Sequence, residues 1–122
     1  MDFKRLFKSF QHALHGFWDI LRTQQNARIH AVAALIVVVF AIFFQIQPIE
    51  WALVLFVSAF VFAVEMVNTV VEGMLDVLHP ADHPGIGHAK DMMAGAVLFA
   101  AIAATIVGLI VFLPYVIRLI IR

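Results

Sequence analysis

Three carboxylates lie along one apolar stretch of this 122-residue chain, at Glu65, Glu72 and Asp76. Each residue of a helix turns by about 100°, so these spacings bring the three side chains within a stripe roughly 40° wide. Asn68 lies on the same face, about 60° from Glu65. A carboxylate inside a membrane costs about 2.5 kcal/mol or more, and such residues typically mark functional sites. The pattern indicates a metal or proton site, whereas Asp76 alone is equally well explained as an interfacial residue that reaches water.

Oxygen ligands on a rigid helix suit Mg²⁺, which binds through one or two carboxylates together with substrate phosphates and water. Such a site serves phosphoryl transfer, where positioning and charge neutralisation do most of the catalysis. The chain has no P-loop sequence, and its histidines lack zinc-ligand spacing. Lys90 and Asp91 precede a long apolar stretch, so Lys90 could reach a phosphate and Asp91 could cap a helix. A proton carrier is the alternative function, but its carboxylates should spread across the membrane depth.

The composition predicts an all-α membrane protein with a single domain over residues 1–122. Hydrophobic residues make up 64% of the chain and charged residues 13%, against about 45–50% and about 25% in soluble domains. Three apolar stretches predict membrane helices over about 30–46, 49–78 and 91–118. A loop rich in Pro and Gly separates the last two. The net charge of zero argues against a nucleic-acid partner, and the lack of cysteine excludes disulfides and thiolate chemistry.

Residues 1–29 carry aromatic and aliphatic residues at spacings of three and four, mixed with Lys and Arg. This pattern predicts an amphipathic helix that lies on the membrane surface. A helix packed against its own bundle is the alternative. Lys and Arg are concentrated before the first span, and Lys90 lies between the second and third spans, whereas Arg118 and Arg122 follow the third. The positive-inside rule therefore predicts a cytoplasmic N-terminus.

Two motifs resemble a known family. Residues 65–72 read E-M-V-N-T-V-V-E and precede Asp76, and residues 88–98 read H-A-K-D-M-M-A-G-A-V-L. They are similar to the two signatures of the prokaryotic diacylglycerol kinase family, E-x-x-N-T-A-I-E-x-x-x-D and A-K-D-x-x-A-G-A-V-L. Residues 9–16 and 26–30 fit as well, so the resemblance covers nearly the whole chain. It implies three membrane helices, a surface helix, and a homotrimer whose active sites are shared between subunits.

The resemblance also implies an activity and a set of site residues. Members of the family act at the cytoplasmic face of the bacterial inner membrane, where they use Mg²⁺ and ATP to phosphorylate a lipid hydroxyl. By motif position, Glu65 would be the general base and Glu72 a Mg²⁺ ligand. The expected nucleotide-binding residues are Asn68, Asp76, Lys90 and Asp91. The expected residues for positioning the substrate are Asn26 and Arg28.

One residue departs from the family pattern. The pattern before Asn26 is E-x-N, in which the glutamate is a further metal ligand, and Gln24 occupies its position here. A glutamine offers an oxygen without negative charge, so we expect weaker metal binding, or reduced or lost activity. Asp19 lies about 140° away around a helix and cannot substitute.

The acceptor lipid is suggested by two further segments. N-A-R-I-H at 26–30 and H-P-A-D-H-P at 79–84 resemble the undecaprenol kinase branch of the family more than the diacylglycerol kinase branch. Undecaprenol, converted to undecaprenyl phosphate, is therefore the expected substrate. Diacylglycerol, converted to phosphatidic acid, is the alternative.

Overall fold

The computed structural model describes residues 2–81 and 83–121, which form four helices. Their bounds are Phe3–Thr23 (α1), Gln25–Phe44 (α2), Pro48–Leu78 (α3) and Pro84–Ile120 (α4). Helices α2, α3 and α4 are long and apolar enough to cross a membrane, which confirms the three predicted spans. Met1 of the predicted surface helix, Asp82 of the loop and Arg122 of the charge count lie outside the described residues.

The helix predicted over residues 1–29 is interrupted at Gln24, which has extended backbone angles of φ −103° and ψ 120°. The Arg28 side chain donates hydrogen bonds to the carbonyl oxygens of Leu21 at 3.4 Å and Arg22 at 2.8 Å. These bonds satisfy carbonyls that the end of α1 would otherwise leave unpaired. The predicted boundary is therefore wrong, since Asn26 and Arg28 belong to α2. Hydropathy locates the apolar part of a membrane helix, and α2 begins with polar residues that hydropathy does not assign to it.

The predicted loop before the third span is also shorter than expected, because α4 begins at Pro84 instead of residue 91. Proline fits the first helical position, where its missing N–H would be unpaired in any case. The His83 side chain caps the helix by accepting the Gly85 N–H at 3.1 Å. Gly87 also lies inside α4. Asp91 lies about two turns into the helix, so the prediction that it caps α4 is wrong.

The end of the bundle farthest from Glu65 and Glu72 has its own apolar cluster. Gln45 turns the chain between α2 and α3 with a left-handed φ of 51°. The Tyr115 hydroxyl of α4 donates to Glu50 of α3 at 2.6 Å. The buried members of the cluster are Ala41, Ile46, Val54 and Val111. These contacts fix α2, α3 and α4 to one another about 20 Å along α3 from Glu65.

Candidate functional site

A cleft of about 290 Å³ lies where α2, α3 and α4 meet. Its apolar side is formed by four residues of α4, namely Ala94, Val97, Leu98 and Ala101. Its polar side comes from the start of α2 and the second half of α3. The polar lining residues are Gln24, Asn26, His30, Glu65, Asn68 and Glu72. The break at Gln24 is what brings the N-terminal polar residues to the carboxylates, because α2 starts there in a new direction.

Glu65 is the most deeply placed polar residue of the cleft, with 2% of its surface exposed. Its Oε2 atom has no hydrogen-bond partner within residues 2–81 and 83–121. The neighbouring Thr69 hydroxyl donates a hydrogen bond to the backbone carbonyl of Glu65 at 3.0 Å, so it does not pair with the Glu65 carboxylate. An ionised carboxylate that is buried without a partner costs several kcal/mol. Such a group is suited to take up a proton or to face a cation or a donor on a bound molecule.

Asn68 and Glu72 continue the polar wall by one and two helical turns. Asn68 is 6% exposed, and its Nδ2 donates to Glu72 Oε1 at 3.4 Å. The Asn68 Oδ1 atom is buried and has no partner in the described part of the chain. The cleft therefore presents two unpaired buried oxygens, on Glu65 and Asn68, close to a second carboxylate at Glu72. The one-face spacing that the sequence predicts for Glu65, Asn68 and Glu72 holds in the structure.

The donor set of the cleft fits a magnesium ion. Carboxylate and amide oxygens are the ligands that Mg²⁺ takes in proteins, and it usually keeps several waters and substrate phosphates as its other ligands. Glu72 and Gln24 could hold the ion, and the unpaired Asn68 oxygen gives the wall a further acceptor. Within the described ranges, three or more His, Asp or Glu side chains do not come together as a metal-binding group. A magnesium ion here would need water or a bound phosphate to complete its coordination.

Asp76, the third carboxylate of the predicted stripe, lies in a different place. It accepts a hydrogen bond from Lys90 Nζ of α4. The pair lines a second cavity of about 430 Å³ together with His79 and His83. Asp76 is one turn beyond Glu72 on α3, about 6 Å along the helix axis. The sequence thus groups Asp76 with the cleft, whereas the structure assigns it to the neighbouring cavity at the cytoplasmic end predicted for the bundle.

Two predicted site residues lie outside both cavities, and one unpredicted residue lies within the cleft. Arg28 is exposed and engaged with the end of α1, and Asp91 is exposed on α4. His30 is half-buried in the cleft wall, although the spacing of the histidines in the sequence predicts no role for it. Its spacing of four residues from Asn26 places both side chains on one face of α2, and this is the signal that could have found it.

The fold and the cleft together define a helical membrane protein with a buried carboxylate site. The model of the prokaryotic diacylglycerol kinase family matches residues 11–112. The chain therefore belongs to this family of lipid kinases, which confirms the resemblance seen in its two motifs.

The relatives of this chain are named as kinases of two different lipids. The undecaprenol kinase of Bacillus subtilis (strain 168) is 37% identical over 113 residues, covering 93% of this chain and 92% of the relative. A diacylglycerol kinase of Synechocystis sp. (strain ATCC 27184 / PCC 6803 / Kazusa) is 37% identical over 110 residues, covering 89% of this chain and 63% of the relative. The diacylglycerol kinase of Escherichia coli (strain K12) is 31% identical over 104 residues, covering 85% of each chain.

Proposed function

We propose that this protein transfers the γ-phosphoryl group of ATP, with Mg²⁺, to the hydroxyl of undecaprenol. The observation that carries this proposal is the unpaired Glu65 carboxylate, buried in a cleft with Asn68 and Glu72. The choice of acceptor is supported by the similarity to an undecaprenol kinase that extends over 93% of the chain. Diacylglycerol is the second candidate, because other relatives of the chain carry that name.

Glu65 acts as the general base in this proposal. The lipid hydroxyl loses its proton to the unpaired Oε2 atom as its oxygen forms a bond to the γ-phosphorus. The bond from that phosphorus to the bridging oxygen of ATP breaks, and ADP leaves. The products are ADP and the lipid phosphate, with the proton held on Glu65 until it passes to water. A buried base suits this step because the surroundings exclude water, which would otherwise compete for the phosphoryl group.

Glu72 and Gln24 would hold the magnesium ion, which would supply positive charge to neutralise the transferred phosphoryl group. Asn68 orients Glu72 through its 3.4 Å hydrogen bond and presents its own unpaired oxygen to the site. Asn26 positions the acceptor from the start of α2, where it lines the same cleft. Because Gln24 brings no charge, we expect the ion to bind more weakly than it would beside a glutamate.

Lys90 is the nucleotide-side cation. Its partner Asp76 lies one turn beyond Glu72 on α3, so a phosphate chain that reached from the cleft to the second cavity would meet both Glu72 and Lys90. Arg28 acts indirectly in this scheme, by fixing the angle between α1 and α2 that sets the position of Gln24. Asp91 is exposed near the same end of α4, and its position in the second motif supports a contact with the nucleotide.

The proposal extends to the placement of the protein in the membrane, which the distribution of Lys and Arg supports. The N-terminus and the cleft face the cytoplasm, and α1 lies in the membrane interface with its aromatic side chains in lipid. All of α1 lacks buried residues, and its Phe17 ring packs on Phe62 of α3 at a centroid distance of 5.0 Å. Exposed Ala94, Gly95 and Ala96 on α4 would let a second subunit approach closely. This surface supports a homotrimer with shared sites.

The acceptor is tested by transfer of labelled γ-phosphate in mixed micelles. Purified protein is offered undecaprenol or diacylglycerol in parallel, with Mg²⁺ removed by chelation as the blank. The proposal expects Mg²⁺-dependent label on undecaprenol with the higher kcat/KM. Preferential labelling of diacylglycerol would select the second candidate. If neither lipid is labelled by wild type but Gln24→Glu labels one of them, the fold is intact and Gln24 is the cause of the lost activity. If Gln24→Glu labels neither lipid, the lipid kinase assignment is refuted.

A further inference from the structure

A third cavity lies beside the cleft, in the membrane-spanning part of the bundle. It is a groove of about 450 Å³ between α2, α3 and α4. Its walls are almost entirely aliphatic and aromatic, with Ser58 and Thr105 among the few polar residues. The Thr105 hydroxyl is already used, since it donates to the Ala101 carbonyl at 2.8 Å. The groove therefore offers little to a polar ligand and a long apolar wall to a hydrocarbon chain.

The groove and the carboxylate cleft adjoin each other, because they share two lining residues. His30 and Ala101 line both cavities, so they form the boundary between the polar and the apolar compartments. A molecule with one hydroxyl and a long apolar tail likewise has a polar part and an apolar part, which match the two compartments. With the hydroxyl beside Glu65, the tail would pass His30 and enter the groove.

The dimensions of the groove indicate what kind of tail it accepts. It extends along α2 from His30 to Phe44, a rise of about 21 Å. This is a large part of the hydrocarbon thickness of a bilayer, which is about 30 Å. This groove shares lining residues with the cleft. One linear chain can follow it, whereas a lipid with two chains on adjacent carbons must leave one chain outside.

We propose that the groove binds the prenyl chain of the acceptor and that Gly108 keeps the groove open for it. This inference rests on the proposed lipid alcohol acceptor, because it takes the hydroxyl to lie beside Glu65. The groove would then select one long prenyl tail over a pair of acyl chains. Gly108 and Ala104, one turn apart on α4, supply the width through their small side chains.

Gly108 is the position where the proposal is most directly tested. A Cβ atom built on Gly108 has no non-neighbouring atom within 4 Å, so a larger side chain enters open space without displacing the protein. Because Gly108 lies about 10 Å along α4 from Ala101, a side chain there would block the groove beyond its mouth. A short prenyl alcohol such as geraniol would still fit before the block. A long prenyl alcohol would lose the deeper part of its site.

The experiment uses photoreactive prenyl alcohols with the full chain in micelles, without ATP, so that binding is read independently of transfer. Gly108→Leu should reduce labelling by the long prenol about tenfold or more, since each methylene excluded from the groove costs roughly fourfold in affinity. Labelling by the short prenol should not change. Gly108→Ala, which adds one carbon and leaves the helix undisturbed, should show a smaller loss in the same direction. Ala103→Leu, on an exposed face of the same helix outside the groove, is the matched control.

Several results would overturn the inference. Long-prenol labelling that is equal in Gly108→Leu and wild type would show that the chain lies elsewhere. Displacement of the probe by diacylglycerol, but not by unlabelled prenol, would assign the groove to a two-chain lipid. Crosslinks from groove positions to a second copy of the chain would assign it to a subunit interface. Wild-type protein that binds the probe as expected, with no phosphate transfer to any lipid by either wild type or Gln24→Glu, would instead refute the proposed function.

Discussion

Replacing Gln24 with glutamate should strengthen magnesium binding and raise activity. Gln24 lines the cleft with Glu65 and Glu72, and glutamate has nearly the same size, so the change adds one charge with little change in shape. Two unit charges 4 Å apart attract by about 4 kcal/mol at an effective dielectric constant of about 20. Desolvation and repulsion between the carboxylates offset most of this attraction. We expect a net gain of about 1.4 kcal/mol, or roughly tenfold in magnesium affinity.

The same substitution should lower stability when magnesium is absent. A third carboxylate would then face Glu65 and Glu72 with no cation between them, and like charges at this distance repel. The unfolding temperature in detergent micelles should therefore fall for Gln24→Glu without Mg²⁺ and rise above wild type when Mg²⁺ is saturating. The matched control is Gln25→Glu, because Gln25 is exposed and does not line the cleft.

Two outcomes would refute this reasoning. Identical magnesium titrations for Gln24→Glu and wild type would show that this position does not reach the ion. An equal gain from Gln25→Glu would show that the added charge acts only through the general potential of the surface.

Two further predictions concern other parts of the site. Glu72→Gln should raise the Mg²⁺ concentration for half-maximal activity by about tenfold, because a charged ligand becomes a neutral one; an unchanged titration would remove Glu72 from the metal site. Lys90→Met should raise the KM for ATP by about tenfold while leaving the lipid KM unchanged, because Lys90 offers a charge-assisted hydrogen bond to phosphate. A rise confined to the lipid KM would contradict the nucleotide-side role of the cation that pairs with Asp76.

Hydropathy predicts the number of membrane helices in this chain but not where they begin. The three apolar stretches correspond to α2, α3 and α4. However, α2 starts at Gln25 and α4 at Pro84, within segments whose polarity or glycine content suggested other structures. A helix continues past the apolar stretch wherever its backbone can still pair, and a cap such as His83 stabilises that extension.

Helical periodicity predicts the grouping within one helix better than the contacts between helices. The spacing of Glu65, Asn68 and Glu72 is sufficient to place them on one wall of the cleft. The pairing of Asp76 with Lys90 depends on how α3 and α4 pack, and no spacing along the chain determines that packing. The same limit explains His30, whose place in the cleft depends on the break at Gln24.

We infer that Glu65 takes the proton of the lipid hydroxyl. The most direct test is the rate at which the Glu65→Gln variant transfers phosphate. Labelled γ-phosphate transfer to undecaprenol is compared between wild type, Glu65→Gln and the remote exposed control Asp19→Asn. Glu65→Gln alone should lower the rate of transfer by about 100- to 10,000-fold. Nucleotide binding and the unfolding temperature should be retained, since the replaced Oε2 atom has no partner to lose within the described residues. Turnover equal to wild type, or a loss matched by lost nucleotide binding, would contradict the claim.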